Sequence, residues 1–112
     1  MLDTEKSFLS LLGYVFLQNA RPDKASVVLA ALDTLEPGQP KVLVALALAQ
    51  LRSGKPERSL ETLDRLAMAG GVDAAFHLLR AQALSTAGHG EEASVAMRTY
   101  LQMRDTQRTA AA

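Results

Sequence analysis

Two histidines are the side chains in this sequence with the clearest potential for metal or acid–base chemistry. His77 and His89 are the only two among 112 residues. Histidines on one helix bind a metal ion together when they lie about one turn apart, whereas these are separated by twelve positions. The sequence has no cysteine, which excludes disulfides and thiolate chemistry. We therefore expect no metal and no cofactor, with His77 as a packing or rim residue and His89 in a solvated turn.

The acidic residues do not form a catalytic pair either. Asp23, Glu57 and Glu91 each follow a predicted helix start, where negative charge interacts favourably with the helix dipole. Glu61 and Arg65 are four residues apart, which predicts a surface ion pair along one helix. The sequence shows no nucleophile–base pattern and no phosphate-binding loop. These observations predict that the chain is not an enzyme.

Overall charge and hydropathy indicate neither a nucleic-acid-binding nor a membrane protein. The formal net charge is zero, and Arg104 and Arg108 are too few to form a basic footprint. The longest apolar run, VLVALALA at 42–49, is far shorter than a bilayer requires. The start, MLDTEKSF, lacks the basic and apolar regions of a secretory signal. We expect a cytoplasmic chain without direct membrane insertion.

The chain repeats itself with a period of 34 residues. Small residues, turn residues and large apolar residues each recur at this spacing. The equivalent positions include Gly13, Ala47 and Ala81; Ala20, Gly54 and Gly88; Pro22, Pro56 and Gly90; Ala25, Ser59 and Ala93; and Leu29, Leu63 and Met97. A fixed period of this length is the signature of a solenoid of stacked repeats.

Each repeat has the pattern of a helical hairpin, so the predicted fold is all-α. Apolar residues recur at helical spacing, and proline or glycine separates the segments. The predicted helices span about 5–19, 22–35, 40–53, 56–69, 73–87 and 90–104. The predicted architecture is one domain over 1–105, a short right-handed solenoid with repeats at about 6–38, 40–72 and 74–105. Residues 106–112 are predicted to be a frayed tail.

The repeat resembles the tetratricopeptide repeat. Leu12-Gly13 match the large–small pair of that motif's first helix, Ala25 and Ala93 match the small residue of its second helix, and Pro37 matches its final proline. The second and third repeats depart from the pattern: Ser59 replaces the alanine, Gly71 replaces the proline, and His77 and Arg80 occupy apolar positions. The resemblance covers about 6–105 and implies a binding scaffold, without a specific function.

A narrower resemblance concerns the small chaperones of bacterial type III secretion. The segments FLSLLGYVFLQNARPDKASVVLAALDTLEP and AQALSTAGHGEEASVAMRTYLQMRD are similar to the SctY/YscY type. In that family the chaperone binds a small export substrate of the SctX/YscX kind, and the pair engages the export gate. The resemblance implies the same class of client for this chain.

The third predicted helix is apolar on nearly every side, although a surface helix normally has one apolar stripe. Neighbouring repeats cover part of it, and burial in the middle of the stack is one explanation. The other explanation is a binding groove, because the first helix of each tetratricopeptide hairpin lines the concave face. The resemblance assigns to this groove Tyr14, Leu17, Val44, Leu48, Leu51, Leu78, Gln82 and Ser85. An amphipathic helix from a protein partner is the expected occupant.

The last predicted helix has more apolar residues than one exposed face normally carries. They are Val95, Met97, Tyr100, Leu101 and Met103. Met97 and Tyr100 either pack on the preceding helix or join the others in a face that a partner or a second copy covers. The alternatives to the SctX-type client are a needle-subunit or translocator chaperone and a self-associating scaffold. The free chain is expected to form homo-oligomers or to aggregate.

Overall fold

The computed structural model describes residues 3–111, which form six α-helices and no strand. The helices are α1 (Asp3–Gln18), α2 (Pro22–Leu35), α3 (Pro40–Arg52), α4 (Pro56–Met68), α5 (Ala74–Thr86) and α6 (Gly90–Ala111). They pair as the hairpins α1–α2, α3–α4 and α5–α6, and the hairpins stack through α2–α3 and α4–α5 contacts. The predicted all-α stack of three helical hairpins is confirmed.

The end of the chain differs from the expected frayed tail. Helix α6 does not stop near residue 104 but continues without a break to Ala111. The sequence after Gly90 contains no proline or further glycine, and alanine, arginine, glutamine and methionine favour helix. The side chains of 104–110 are exposed, so local propensity rather than packing holds this extension. Residue 112 lies outside the described part of the chain.

Each hairpin closes at a crossing between two small residues. A Cβ atom on Gly13 would lie 2.8 Å from Cδ2 of Leu29, closer than packed atoms approach. The repeat-equivalent crossing positions are all buried; they are Gly13, Ala47 and Ala81 on the first helices, and Ala25, Ser59 and Ala93 on the second. Small side chains at these positions let the helix axes come close together, which sets the spacing of the stack.

The turn inside each hairpin has the same left-handed residue at the same repeat position. Ala20 has φ 56°, Gly54 has φ 78° and Gly88 has φ 87°. In each turn the next amide donates to the carbonyl of the residue five positions earlier, at 2.8, 2.9 and 2.8 Å. This is the hydrogen bond of a glycine-terminated helix. Ala20 fills a glycine position, although an L-residue is strained there.

The buried polar side chains of α4 are satisfied by hydrogen bonds. The hydroxyl of Ser59, which is fully buried, donates to the carbonyl of Ala47 at 2.8 Å. The hydroxyl of Thr62 donates to the side-chain carbonyl of Gln50 at 2.6 Å. No buried side-chain nitrogen or oxygen in the described residues lacks a hydrogen-bond partner. The serine therefore replaces alanine without leaving an unpaired polar group, and it joins α4 to α3.

An ion pair joins the first two repeats through their second helices. The guanidinium of Arg65 on α4 donates to both carboxylate oxygens of Asp33 on α2, at 2.7 and 3.0 Å. The amide of Gly38 donates to the same carboxylate at 3.1 Å. The predicted surface pair of Arg65 with Glu61 is therefore wrong, because the arginine reaches across to α2 instead. Asp33 is 8% exposed, so its charge needs this partner.

This geometry lowers the pKa of Asp33 below its ordinary value of 3.8. The main cause is the hydrogen bond from Arg65, which favours the charged carboxylate; burial opposes it, and the Gly38 amide and the arginine charge add to the lowering. A pKa that is lower in the folded chain stabilises the fold above the unfolded pKa. This stabilisation is lost as the pH falls through that value towards the folded one.

We predict that Ala20→Gly stabilises the chain by about 0.5–1 kcal/mol, because it removes the left-handed strain at a small cost in chain entropy. Thermal unfolding should show a midpoint a few degrees higher than that of the wild type. Gly54→Ala is the matched control at the equivalent position. An added Cβ there has no atom within 4 Å, so any loss of stability reports backbone strain alone. An unchanged midpoint for Ala20→Gly would contradict the strain.

We predict that Asp33→Asn lowers the free energy of unfolding near neutral pH by about 1–2 kcal/mol, because Arg65 loses its charged acceptor. Urea unfolding at about pH 7 and about pH 3 measures the effect. The difference from the wild type should shrink at the lower pH, which lies below the ordinary pKa of this carboxyl, because protonation of Asp33 in the unfolded wild-type chain removes part of the stabilisation. Asp64→Asn, at an exposed position on α4, is the control and should change little. An equal effect of Asp33→Asn at both pH values would exclude a charge-dependent role.

Candidate functional site

Four of the predicted groove residues line one depression between α1 and α3, with a volume of about 370 Å³. We call it the inner groove. Its lining consists of Tyr14, Leu17 and Gln18 from α1 and Lys41, Val44, Ala45, Leu48 and Arg52 from α3. The first helices of two neighbouring hairpins thus form its two walls. The repeat stacking brings together apolar side chains that lie about thirty residues apart in sequence.

A larger depression of about 850 Å³ adjoins the inner groove. Tyr14 and Lys41 line both depressions, so the two are continuous at these side chains. The remaining lining comes from the start of α1, the end of α2 and the start of α3. Within it, the ammonium group of Lys6 lies 3.3 Å from a carboxylate oxygen of Glu36. The trough therefore runs from this ion pair, past Tyr14 and Lys41, into the inner groove with Val44 and Leu48.

The other four predicted residues lie outside the inner groove lining. Leu51 packs against the central core beside Val44 and Leu48. Gln82 and Ser85 line a separate depression of about 420 Å³ between α5 and α6, together with Met97. Leu78 is half-buried on α5 and lines neither depression. The structure thus brings together four predicted residues of the first two repeats, whereas Leu51 and the predicted residues of the third repeat do not line the inner groove.

The apolar residues on the α3 side of the groove are half-buried. Val44, Leu48 and Leu51 pack against a core cluster that includes Leu43 and Leu63. Leu46, on the other side of α3, is 3% exposed and packs in a second cluster with residues of α2. Helix α3 therefore buries two faces completely and offers a third to the groove in part. Burial in the stack therefore explains two of its apolar faces, and partner binding by the third stays a prediction.

Two basic residues mark the ends of this groove, and sequence reasoning missed both. Lys41 and Arg52 are exposed side chains of α3 that line the same depression as Val44 and Leu48. Positions 41, 44, 48 and 52 lie on one helical stripe, so extending the apolar stripe by one turn in each direction would have found them. The inner groove therefore combines an apolar floor with positive charge at both ends.

The two histidines occupy the surroundings that were predicted for them. The imidazole of His77 is half-buried and lies edge-on against Phe76, with ring centroids 5.1 Å apart. His89 is exposed in the turn before α6, and its Nδ1 atom lies 3.9 Å from a carboxylate oxygen of Glu92. Among the described residues, no three histidine, aspartate or glutamate side chains come together as a metal site.

Within residues 3–111, no helix has both the length and the apolar composition needed to cross a membrane.

Three stacked hairpins, with a trough between the first helices of the first two, define an α-helical repeat scaffold. A model of the tetratricopeptide repeat family matches residues 16–83. This match covers more than half of the chain, so the chain belongs to the tetratricopeptide repeat family. Repeats of this family generally mediate protein–protein interactions. No curated protein has a significant sequence match to the chain.

Proposed function

We propose that this chain is a cytoplasmic chaperone of bacterial type III secretion that holds an amphipathic helix of a small export substrate in the inner groove. The observation that carries the proposal is the apolar floor of that groove with its basic ends. The proposed client is a secreted protein of the SctX/YscX kind. The chaperone–client pair would then be delivered to the export gate.

The shape of the groove supports a helical occupant. Its walls are two neighbouring helices, and Tyr14, Leu17, Val44 and Leu48 present apolar surface from both. An amphipathic helix can place residues three and four positions apart along such a groove and bury them together. Tyr14 is 39% exposed, so its ring provides apolar contact area that a partner can cover. Its hydroxyl can still bond to water or to the partner.

The charge of the groove supports an occupant with acidic residues beside its apolar stripe. Lys41 and Arg52 are eleven residues apart on α3, which is about three helical turns or about 16 Å. A client helix with carboxylates at both ends of its apolar stripe can pair with both cations. Such pairs at the rim of an interface mainly raise the association rate and fix the orientation.

The secretion role rests on the resemblance of the first repeat and of the last helical hairpin to the SctY/YscY type. The observed helix order and the apolar groove are compatible with that class. Chaperones of the needle subunit or of a translocator are the competing assignments within type III secretion. Coexpression with an SctX-type protein, a needle subunit and a translocator, each in turn, separates them. Stable copurification with only the needle subunit or only the translocator would replace the proposed client.

We predict that Leu48→Glu reduces copurification of an SctX-type client at least about 100-fold, because a carboxylate under a partner helix loses its water. Leu48 is half-buried, so the variant should lose some stability yet keep its helical circular dichroism. Leu46→Glu is the matched control two positions away. Leu46 is 3% exposed, and a charge there should unfold the domain.

Tyr14→Glu provides a second groove variant on the opposite wall. Full client binding by folded Leu48→Glu and Tyr14→Glu would exclude the inner groove as the site.

We predict that the double change Lys41→Glu and Arg52→Glu weakens the client complex about tenfold at low salt, and less at high salt, because exposed charges are screened. The matched control is Lys55→Glu with Arg58→Glu, which alters the same charge at exposed positions outside the groove. Binding kinetics at two salt concentrations measure the effect. An equal loss for both double variants would show that net charge, rather than the groove, attracts the client.

A further inference from the structure

The exposed face of α1 has an apolar stripe outside the inner groove. Phe8 is 62% exposed, Leu11 is 63% exposed and Val15 is 37% exposed. Their spacing places them on one side of the helix. No helix in residues 3–111 covers this side, which we call the head face.

The repeat shows what kind of element fits the head face. The equivalents of Phe8, Leu11 and Val15 are Val42, Ala45 and Ala49 on α3, and Phe76, Leu79 and Ala83 on α5. Five of these six equivalents are buried and Val42 is half-buried. On α5, Phe76 and Leu79 share a core cluster with Leu63 and Leu66 of α4, the second helix of the preceding repeat. The head face is therefore the position at which α1 would receive a second helix of another repeat.

The other end of the stack presents such a helix. The equivalents of Leu63, Leu66 and Ala67 on α4 are Met97, Tyr100 and Leu101 on α6, and we call these three the tail face. Met97 and Tyr100 are half-buried, and Leu101 is 37% exposed. For Met97, this answers the question left open by the sequence. Met97 packs on the cluster between α5 and α6, while Leu101 remains available to a neighbour.

We propose that a second copy of this chain covers these faces, with the tail face of one copy on the head face of the next. The contact would repeat the packing of α4 on α5 between two molecules. It continues the solenoid and leaves the inner groove open. The inference does not depend on the proposed secretion role, since it uses different residues.

The ends of α1 and α6 carry opposite charges where they would meet. Where α4 packs on α5, the C-terminal end of α4 lies beside the N-terminal start of α5. By the 34-residue repeat, α1 begins three residues before the equivalent of Pro40, and α6 continues nine residues past the equivalent of Met68. These additions carry Asp3 and Glu5 on α1, and Arg104, Asp105 and Arg108 on α6. Arg104 already contacts Asp105 at 3.3 Å, so Arg108 is the cation most available to a carboxylate of the next copy.

When two copies meet through two different faces, the dimer keeps one free head face and one free tail face, so further copies can add. Sedimentation velocity of the full wild-type chain should therefore show oligomers that grow beyond dimers with concentration. Leu11→Glu blocks the head face and Leu101→Glu blocks the tail face. Both side chains are exposed, so each variant should fold and remain monomeric on its own. An equimolar mixture should form dimers and nothing larger, because only one intact head and one intact tail can meet.

Two control variants separate this inference from the groove. Val27→Glu places the same charge at a 69% exposed position on α2 and should associate like the wild type. Leu48→Glu should also associate like the wild type, while Leu11→Glu and Leu101→Glu keep any client binding. A wild type that stays monomeric or stops at dimers overturns the inference. So does dimerisation of either end variant alone, or a mixture that stays monomeric.

Discussion

Small buried side chains lie where the two helices of each hairpin meet. Gly13 lies beneath Leu29, and the hydroxyl of Ser59 bonds to the backbone of Ala47. Interiors are packed so tightly that one added methyl group at such a point must displace a neighbour. The close crossings set the distance between the helices of a hairpin. They therefore also fix how hairpins stack and how far apart α1 and α3 lie as walls of the groove.

The sequence predicted the helices well because the signals that set them are local. Small residues, prolines and glycines recur at the same spacing, and each acts within a few positions of itself. The Asp33–Arg65 pair was not predictable in this way. No Cα atom of α2 lies within 8 Å of one on α4, so the pair depends on the reach of an arginine side chain across the stack. Glu61 lies one helical turn from Arg65 on the same helix, so the local sequence pattern favoured it as the partner of Arg65.

For the groove as well, the sequence pattern predicted which residues share one side of a helix, but their degree of burial depends on tertiary packing. Helical spacing correctly grouped Val44 and Leu48 on one side of α3 and Leu46 on another. It could not tell that Val44 and Leu48 are held half-buried by the core, since burial depends on the neighbouring hairpins. Leu78 and Gln82 were assigned by repeat equivalence alone, yet they do not share the groove lining. Repeats align in sequence more regularly than their surfaces align in space.

The strained turn at Ala20 makes the first hairpin the weak point of an isolated copy. Among the described residues, it is the only non-glycine with a positive φ, and Gly13 is the only buried residue of α1. Stability in a stack of repeats is transmitted between neighbours, so a terminal hairpin can open while the rest stays folded. Helix α1 carries Tyr14 and Leu17, and its detachment would remove one wall of the groove while α3 keeps its place. A bound helix would then have an exit path that needs local opening of one hairpin and no global unfolding.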